Sequence, residues 1–221
     1  MRIFNAKRGR NLKQKKTQLT HTNTLIGEDS MSKQAKTLNV TELRRVLDYT
    51  ATRKHSARNR ALLMTTFLSG MRVGEVASLR CSDVLNADKT IKNEIRLKAE
   101  QTKGNEARVV FVNEKLRKEL ERYASALKIA DMNKKFFYSQ KTKSDGFTAN
   151  TLTQFFHYLY KKSGIDGASS HSGRRTFITN LASKGVGVRV LMSLSGHKNI
   201  STTQAYIDVN DDMKRRAVEL I

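Results

Sequence analysis

Apolar residues recur with a helical period over most of this chain and switch to strand-like alternation only once. Val40, Leu43, Val46 and Leu47 fall at the three- and four-residue spacings that share one helical face. Asn39 followed by Glu42 has capping-box spacing and marks the start of that helix. A second helix is predicted over 56–69, with Leu62, Leu63, Thr66 and Phe67 inward and Gly70 as its C-cap. A short third helix over 72–79 carries Val76 and Leu79 inward, with Arg72 on the same face.

Between 90 and 112 the pattern becomes β: Ile95, Leu97 and Ala99 alternate, and 109–112 is a compact strand-forming run. The stretch 102–106 between them reads as a hairpin turn with Lys103 at its mouth. Asn113 caps a helix over 114–127, 136–138 is a short buried aromatic segment, and 151–162 is another helix. Phe155, Phe156, Leu159 and Tyr160 of that helix are core residues. Further helices are predicted over 171–184, ending at Gly185, over 189–195, over 200–209 with Tyr206 inside, and over 211–221. The fold class is therefore α+β, mainly α-helical, with a small antiparallel sheet on one edge. One domain covers 38–221, preceded by a flexible basic arm over 1–37 that contains Lys7, Arg8, Arg10, Lys13, Lys15 and Lys16.

Charge narrows the class. The chain has 42 Lys+Arg against 20 Asp+Glu, a formal net charge of +22. That excess implies a polyanionic partner, because each neutralised phosphate releases a condensed counterion. A single cysteine, Cys81, excludes an internal disulfide framework and a thiolate-rich zinc site. No run approaches the roughly eighteen apolar residues of a spanning helix, and the basic start lacks an apolar signal-peptide core. A reducing cytoplasm fits these features, and no membrane partner is expected.

The candidate chemistry begins at Arg174. Phe177, Ile178 and Leu181 follow it at three, four and seven residues, so the inward face of a helix carries a guanidinium. A buried cation needs an anionic partner, and no carboxylate lies within a turn of it. A phosphate from outside the chain fits. Arg72 is a second arginine on an apolar face, with Glu75 three residues on and within reach. Two arginines neutralise the non-bridging oxygens of one phosphate and its pentacoordinate transition state. Two imidazoles, His171 and His197, move a proton or donate to the same oxygens. Tyr206 offers an oxygen nucleophile, and Lys103 a proton for a leaving alkoxide. The set calls for no cofactor and no metal: this acid-poor chain lacks the clustered carboxylates of a two-metal site. Singly, each residue has an ordinary structural role; the chemistry rests on the joint set and its order.

These residues sit in motifs that resemble the tyrosine recombinase (phage integrase) family. The pieces are Leu68-Ser69-Gly70-Met71-Arg72-Val73-Gly74-Glu75-Val76, Thr102-Lys103-Gly104, His171-Ser172-Gly173-Arg174-Arg175-Thr176-Phe177, Ser195-Gly196-His197-Lys198 and Ser201-Thr202-Thr203-Gln204-Ala205-Tyr206. Tyr206 lies nine residues after His197, the family's usual step. The resemblance implies site-specific cleavage and rejoining of double-stranded DNA through a 3′-phosphotyrosine at Tyr206, in integration, excision or inversion. It implies a phosphate clamp of Arg72 and Arg174, with His171 assisting tyrosine deprotonation and His197 bonded to the phosphate. Lys103 would be the general acid and Glu75 a brace. A homo-tetramer on DNA is implied, with the 211–221 helix as a docking element and a DNA-bending protein or partner recombinase as possible accessory. The short span before 38 is similar to that of single-domain members lacking the core-binding domain.

Two other readings use the same residues: relaxation of DNA by a type IB topoisomerase-like enzyme without pairing of sites, and a DNA-binding regulator that does not recombine. The sequence departs from the family pattern at Ser170, Gly173 and Ser195, where Pro, Leu and Leu are common. Gly173 is expected to loosen the helix start beside Arg174.

Overall fold

The computed structural model describes residues 34–139, 145–207 and 211–219. Most of the predicted 1–37 arm, residues 1–33, lies outside them. The described part is mainly helical with one two-stranded antiparallel sheet.

α1 (Val40–Ala51) starts at the predicted capping box: Asn39 Oδ1 accepts from the Glu42 N–H at 2.8 Å and Glu42 Oε2 from the Asn39 N–H at 3.0 Å. α2 (Ser56–Ser69) is the central helix. Ala61, Leu62, Leu63, Thr65 and Thr66 are each at most 1 % exposed, so it is buried on nearly every side. It ends at Gly70, whose φ of 64° is the left-handed cap that glycine adopts without strain. α3 (Val73–Ser78) and α4 (Cys81–Val84) follow. α4 was not evident in the sequence; it is one turn, held from outside by Cys81 and Ser82 N–H bonds to the Lys134 and Met132 carbonyls.

β1 (Glu94–Leu97) pairs antiparallel with β2 (Arg108–Phe111), Ile95 facing Val110 and Leu97 facing Arg108. The predicted alternation stops one residue early. Ala99 starts a single 3₁₀ turn, Ala99–Gln101, because the Gln101 side chain captures the Lys98 N–H at 2.8 Å. Thr102 Oγ1 then closes the 102–106 loop by accepting from the Glu106 N–H at 3.1 Å.

α5 (Glu114–Ser125) is capped by Asn113 and clamped to α2 by a bidentate Arg60–Glu119 pair, both bonds 2.7 Å. Phe136 and Phe137 are buried against Tyr123, whose hydroxyl donates to the Phe136 carbonyl at 3.0 Å. α6 (Ala149–Lys162) buries Phe156, Leu159 and Tyr160 as expected, while Phe155 is only partly buried against the same core.

α7 (Ser172–Ser183) packs on α2, with the Leu38 N–H bonded to Thr176 Oγ1 at 3.0 Å from the chain entering α1. The Gly173 expectation is overturned here. A Cβ at 173 would lie 2.1 Å from Thr66 Oγ1 and 3.0 Å from Phe67 Cδ2. The glycine is what lets α7 approach α2, and so it seats the helix start instead of loosening it. α8 (Val188–Ser195), α9 (Ile200–Gln204) and α10 (Asp211–Val218) complete the order. The predicted 200–209 helix stops at Gln204, because Tyr206 and Ile207 donate to carbonyls three residues back and tighten the chain into a turn. Residues 208–210 and 220–221 lie outside the described set.

Gly173→Ala is expected to cost about 1–3 kcal/mol through overpacking of the α2–α7 contact. Denaturant unfolding checks this; a variant as stable as the parent contradicts the close-approach reading.

Candidate active site

The site is built on the end of α8. That helix closes with a left-handed Gly196 at φ 62°, and the next N–H groups fold back: Gly196 to the Ser193 carbonyl at 3.1 Å and His197 to the Met192 carbonyl at 3.1 Å. This is the bond pattern of a Schellman cap, and it leaves the following three carbonyls free to accept. Each takes an arginine. Leu194 O accepts from Arg108 Nη1 at 2.8 Å, Ser195 O from Arg174 Nη2 at 2.7 Å, and Gly196 O from Arg72 Nη2 at 2.9 Å. Cations at a helix C-terminus also face the negative end of its dipole.

Arg72 comes from the start of α3. Predicted inside the helix, it stands one residue before it, with extended backbone at φ −71° and ψ 150°. Its N–H is captured by Glu75 Oε2 at 2.8 Å, which holds the backbone extended and sends the side chain off the helix end toward α8. Its Nη1 pairs with Glu75 Oε1 at 3.0 Å, the contact that the spacing predicts.

Arg174 is 4 % exposed, yet it does not lack partners within the chain as the sequence suggested. Its Nη1 donates to the Gly70 carbonyl at 2.7 Å and its Nη2 to Ser195 O. The partners are backbone carbonyls at two helix ends, invisible to a search for carboxylates. Burial, then the charge of Arg72, with Arg108 further on, pulls the Arg174 pKa down to about 9, and Glu75 opposes that shift. The guanidinium is still charged at neutral pH.

Glu75 is 1 % exposed. Burial pushes its carboxyl up, but hydrogen bonds and charge from Arg108 and Arg72 outweigh that and hold it below the ordinary range. Arg108, at the start of β2, supplies the shortest of these bonds, Nη2 to Oε2 at 2.6 Å. Sequence reading missed Arg108. Its only sequence signal is a charged residue opening a strand-forming run, and its partners lie 33 and 86 positions away.

An open cleft of about 750 Å³ runs past this cluster, lined by Arg72, Lys103, Arg108, His197 and Lys198 among others. Lys103 is exposed on its loop, and Lys198 reaches that loop through an ion pair with Glu106 at 2.8 Å. His197 is 8 % exposed, with Nδ1 2.9 Å from Thr203 Oγ1, a partner not anticipated from sequence. The Tyr206 ring stacks on His197 with centroids 5.6 Å apart, and the Arg175 guanidinium lies over the Tyr206 ring, 5.3 Å from its centroid. Thr179 Oγ1 reaches the Tyr206 carbonyl at 3.5 Å. His171 stands at the exposed rim as the N-cap residue of α7; partial desolvation and the charges of Arg174, Lys103 and Arg72 lower its pKa. Arg72, Lys103 and His197 thus share the cleft wall, Arg174 is buried at the same α8 end, Tyr206 stacks on His197, and His171 is near enough to Arg174, Lys103 and Arg72 to feel their charges. Among the described residues no group of three or more His, Cys, Asp or Glu is placed to hold a metal ion. No described helix is long and apolar enough to cross a membrane.

A mainly helical domain that gathers three arginines, two histidines, a lysine and a tyrosine about one helix end has relatives. Residues 36–213 match the model of the phage integrase family, and the chain belongs to that family. It is 30 % identical to the tyrosine recombinase XerA of Pyrococcus horikoshii over 164 residues, 73 % of this chain and 54 % of that protein. It is 28 % identical to the tyrosine recombinase XerD of Rickettsia bellii, covering 82 % of this chain and 62 % of that one. The chain therefore spans about half to three-fifths of the length of the curated relatives it matches. Among solved structures, a XerA recombinase superposes with a TM-score of 0.65 at 25 % identity, covering 84 % of this chain and 64 % of that one. The Tn1549 transposon integrase in complex with transposon right end DNA shares the fold, with a TM-score of 0.65 at 20 % identity, 89 % of this chain and 68 % of that one.

Burial, with Arg174, Arg72 and Arg108, pushes the His197 pKa down to about 4, below the ordinary value of about 6.5. The unfolded chain therefore takes up the proton first as pH falls, and the stability tied to the neutral ring is complete above pH ~6.5 and lost progressively toward pH ~4. Denaturation midpoints are expected to drop across that window, less steeply in His197→Gln. An NMR titration placing the His197 ring at or above 6.5 contradicts this assignment.

Proposed function

We propose that this chain cleaves and rejoins DNA strands at specific sites through a covalent tyrosine intermediate. The observation that carries the reading is the charge balance at the α8 end: three guanidiniums gather there with one carboxylate, paired to two of them, beside an open cleft, and Tyr206 stacks on the histidine of that wall. Such a surplus suits a phosphodiester and, more strongly, its transition state, where a further negative charge develops.

In this reading Arg72 and Arg174 receive the non-bridging oxygens, and His197 donates to one of them. The Tyr206 Oη attacks phosphorus as its proton leaves with help from His171. A Tyr206–phosphorus bond forms at the 3′ side, the bond to the 5′-oxygen breaks, and Lys103 protonates that leaving oxygen. The phosphodiester energy is kept in the tyrosine ester, so a 5′-hydroxyl reverses the step without ATP. Glu75 holds Arg72. The net charge of +22 and the DNA complex of the Tn1549 integrase support duplex DNA as partner. Pairing of two sites implies a tetramer on DNA, with a bending protein or a second recombinase as accessory.

The test uses a pool of duplexes with randomised arms, each nicked so that the freed 5′-end fragment diffuses away and traps the cleaved state. The parent is expected to give a covalent protein–DNA adduct at Tyr206. Tyr206→Phe is expected to give none while binding the recovered duplex normally, and Arg174→Ala to slow adduct formation about a hundredfold or more. No adduct from the whole pool, or an adduct in Tyr206→Phe, contradicts the mechanism. Relaxation of plasmids that lack the recovered site, without recombinant product, points instead to topoisomerase-like action.

A further inference from the structure

Arg108 is the one member of the arginine cluster with no part in the proposed phosphate chemistry, and it is the most enclosed against Glu75. Its side chain is 9 % exposed, and Glu75 is 1 % exposed. Nε and Nη2 form a fork on the carboxylate at 3.2 and 2.6 Å, while Nη1 turns to Leu194 O at 2.8 Å. The stem runs so close to the backbone of 196 that an added Cβ there would lie 2.7 Å from Arg108 Cδ. A left-handed glycine is required there twice over, by its φ and by this contact.

We propose that Arg108 is a positioning residue for the proposed strand transfer: its fork joins Glu75 to the end of α8 and so fixes where Arg72 and His197 stand. The inference rests on the function proposed above. The physical argument concerns competition for one carboxylate. Glu75 is buried and must be neutralised. Were Arg72 its sole cation, the stable arrangement would be the bidentate one, turning Arg72 onto Glu75 and cancelling its charge. Arg108 takes the fork instead. Arg72 then gives Glu75 one Nη and its backbone N–H, and its other Nη goes to Gly196 O. Two arginines against one carboxylate leave one positive charge over for an incoming anion. The same fork anchors Leu194, three residues before His197, to β2 and α3. Lysine at 108 would keep the charge but lacks the planar fork.

The experiment compares the parent, Arg108→Lys and Arg108→Met in single-turnover adduct formation at saturating concentrations of the duplex recovered from the pool. DNA affinity and the unfolding midpoint are measured in parallel, and all rates are taken below each variant's midpoint. The expected result is a rate about tenfold lower in Arg108→Lys and about a hundredfold lower in Arg108→Met, with DNA affinity within about threefold of the parent. A role confined to stability would lower the midpoint and leave the rate of the folded fraction unchanged. If both variants, or Arg108→Lys alone where Arg108→Met does not fold, react at the parental rate, the proposal is overturned. A parent that forms no adduct overturns the functional reading itself, and the two failures are distinct.

Discussion

Everything in the candidate site hangs on three carbonyl oxygens. A helix leaves its last carbonyls without partners inside the helix, and a Schellman cap satisfies only some of them. At α8 the cap bonds the carbonyls of Met192 and Ser193, and the next three oxygens each accept from a guanidinium. Those guanidiniums come from three separate places: the start of α3, the start of β2 and the first turn of α7. One helix terminus thus draws together residues spread from Arg72 to Gly196. It also explains how like charges are packed closely in a half-buried place, since the helix end and Glu75 supply the compensating negative potential.

The compensation is incomplete, and that is its chemical value. Two of the three cations meet the one carboxylate, and burial, then Arg72, pull the pKa of the third, Arg174, down to about 9. An anion entering the cleft relieves this directly. The electrostatic work of assembling the cations is done during folding, supported by the core around α2, so little reorganisation is left for the proposed reaction. Gly173 and Gly70 contribute through packing: the first lets α7 approach α2, and the second turns its carbonyl to Arg174 while Phe177 fills the space beside it.

Much of this was legible in the sequence, for reasons that differ between residues. Arg72 and Glu75 are three apart, so local geometry alone predicts their pairing, and the aromatic core of α6 follows from its period. The inward position of Arg174 was likewise periodic, but its partners were not readable, because any residue carries a carbonyl and only the fold decides which ones are left over. Arg108 and Thr203 act through contacts made by strand register and by the α8–α9 turn, and although Thr203 lies inside a family motif and Arg108 opens a strand-forming run, nothing in the sequence shows their partners. Element ends were misjudged where a side chain or a three-residue hydrogen bond took over the backbone: the helix start at Arg72, the strand end at Lys98 and the helix end after Gln204.

The neutral state of His197 constrains the division of labour in the proposed reaction. With its pKa near 4, by burial and then by three neighbouring arginines, the ring carries one proton at neutral pH. Nδ1 lies 2.9 Å from Thr203 Oγ1, and the tautomer in which that hydroxyl donates places the ring proton on Nε2, where the proposed hydrogen bond to a phosphate oxygen needs it. Such a ring is a good fixed donor and a poor acid, since giving up its proton would leave an imidazolate. In the proposed reaction the proton for the departing 5′-oxygen is therefore assigned to another group, Lys103, which is exposed on a loop lining the same cleft. A fixed donor beside α8 and a separate acid on the β1–β2 loop follow, in the proposed reaction, from one cause: burial, and then the neighbouring arginines, keep His197 from taking a second proton.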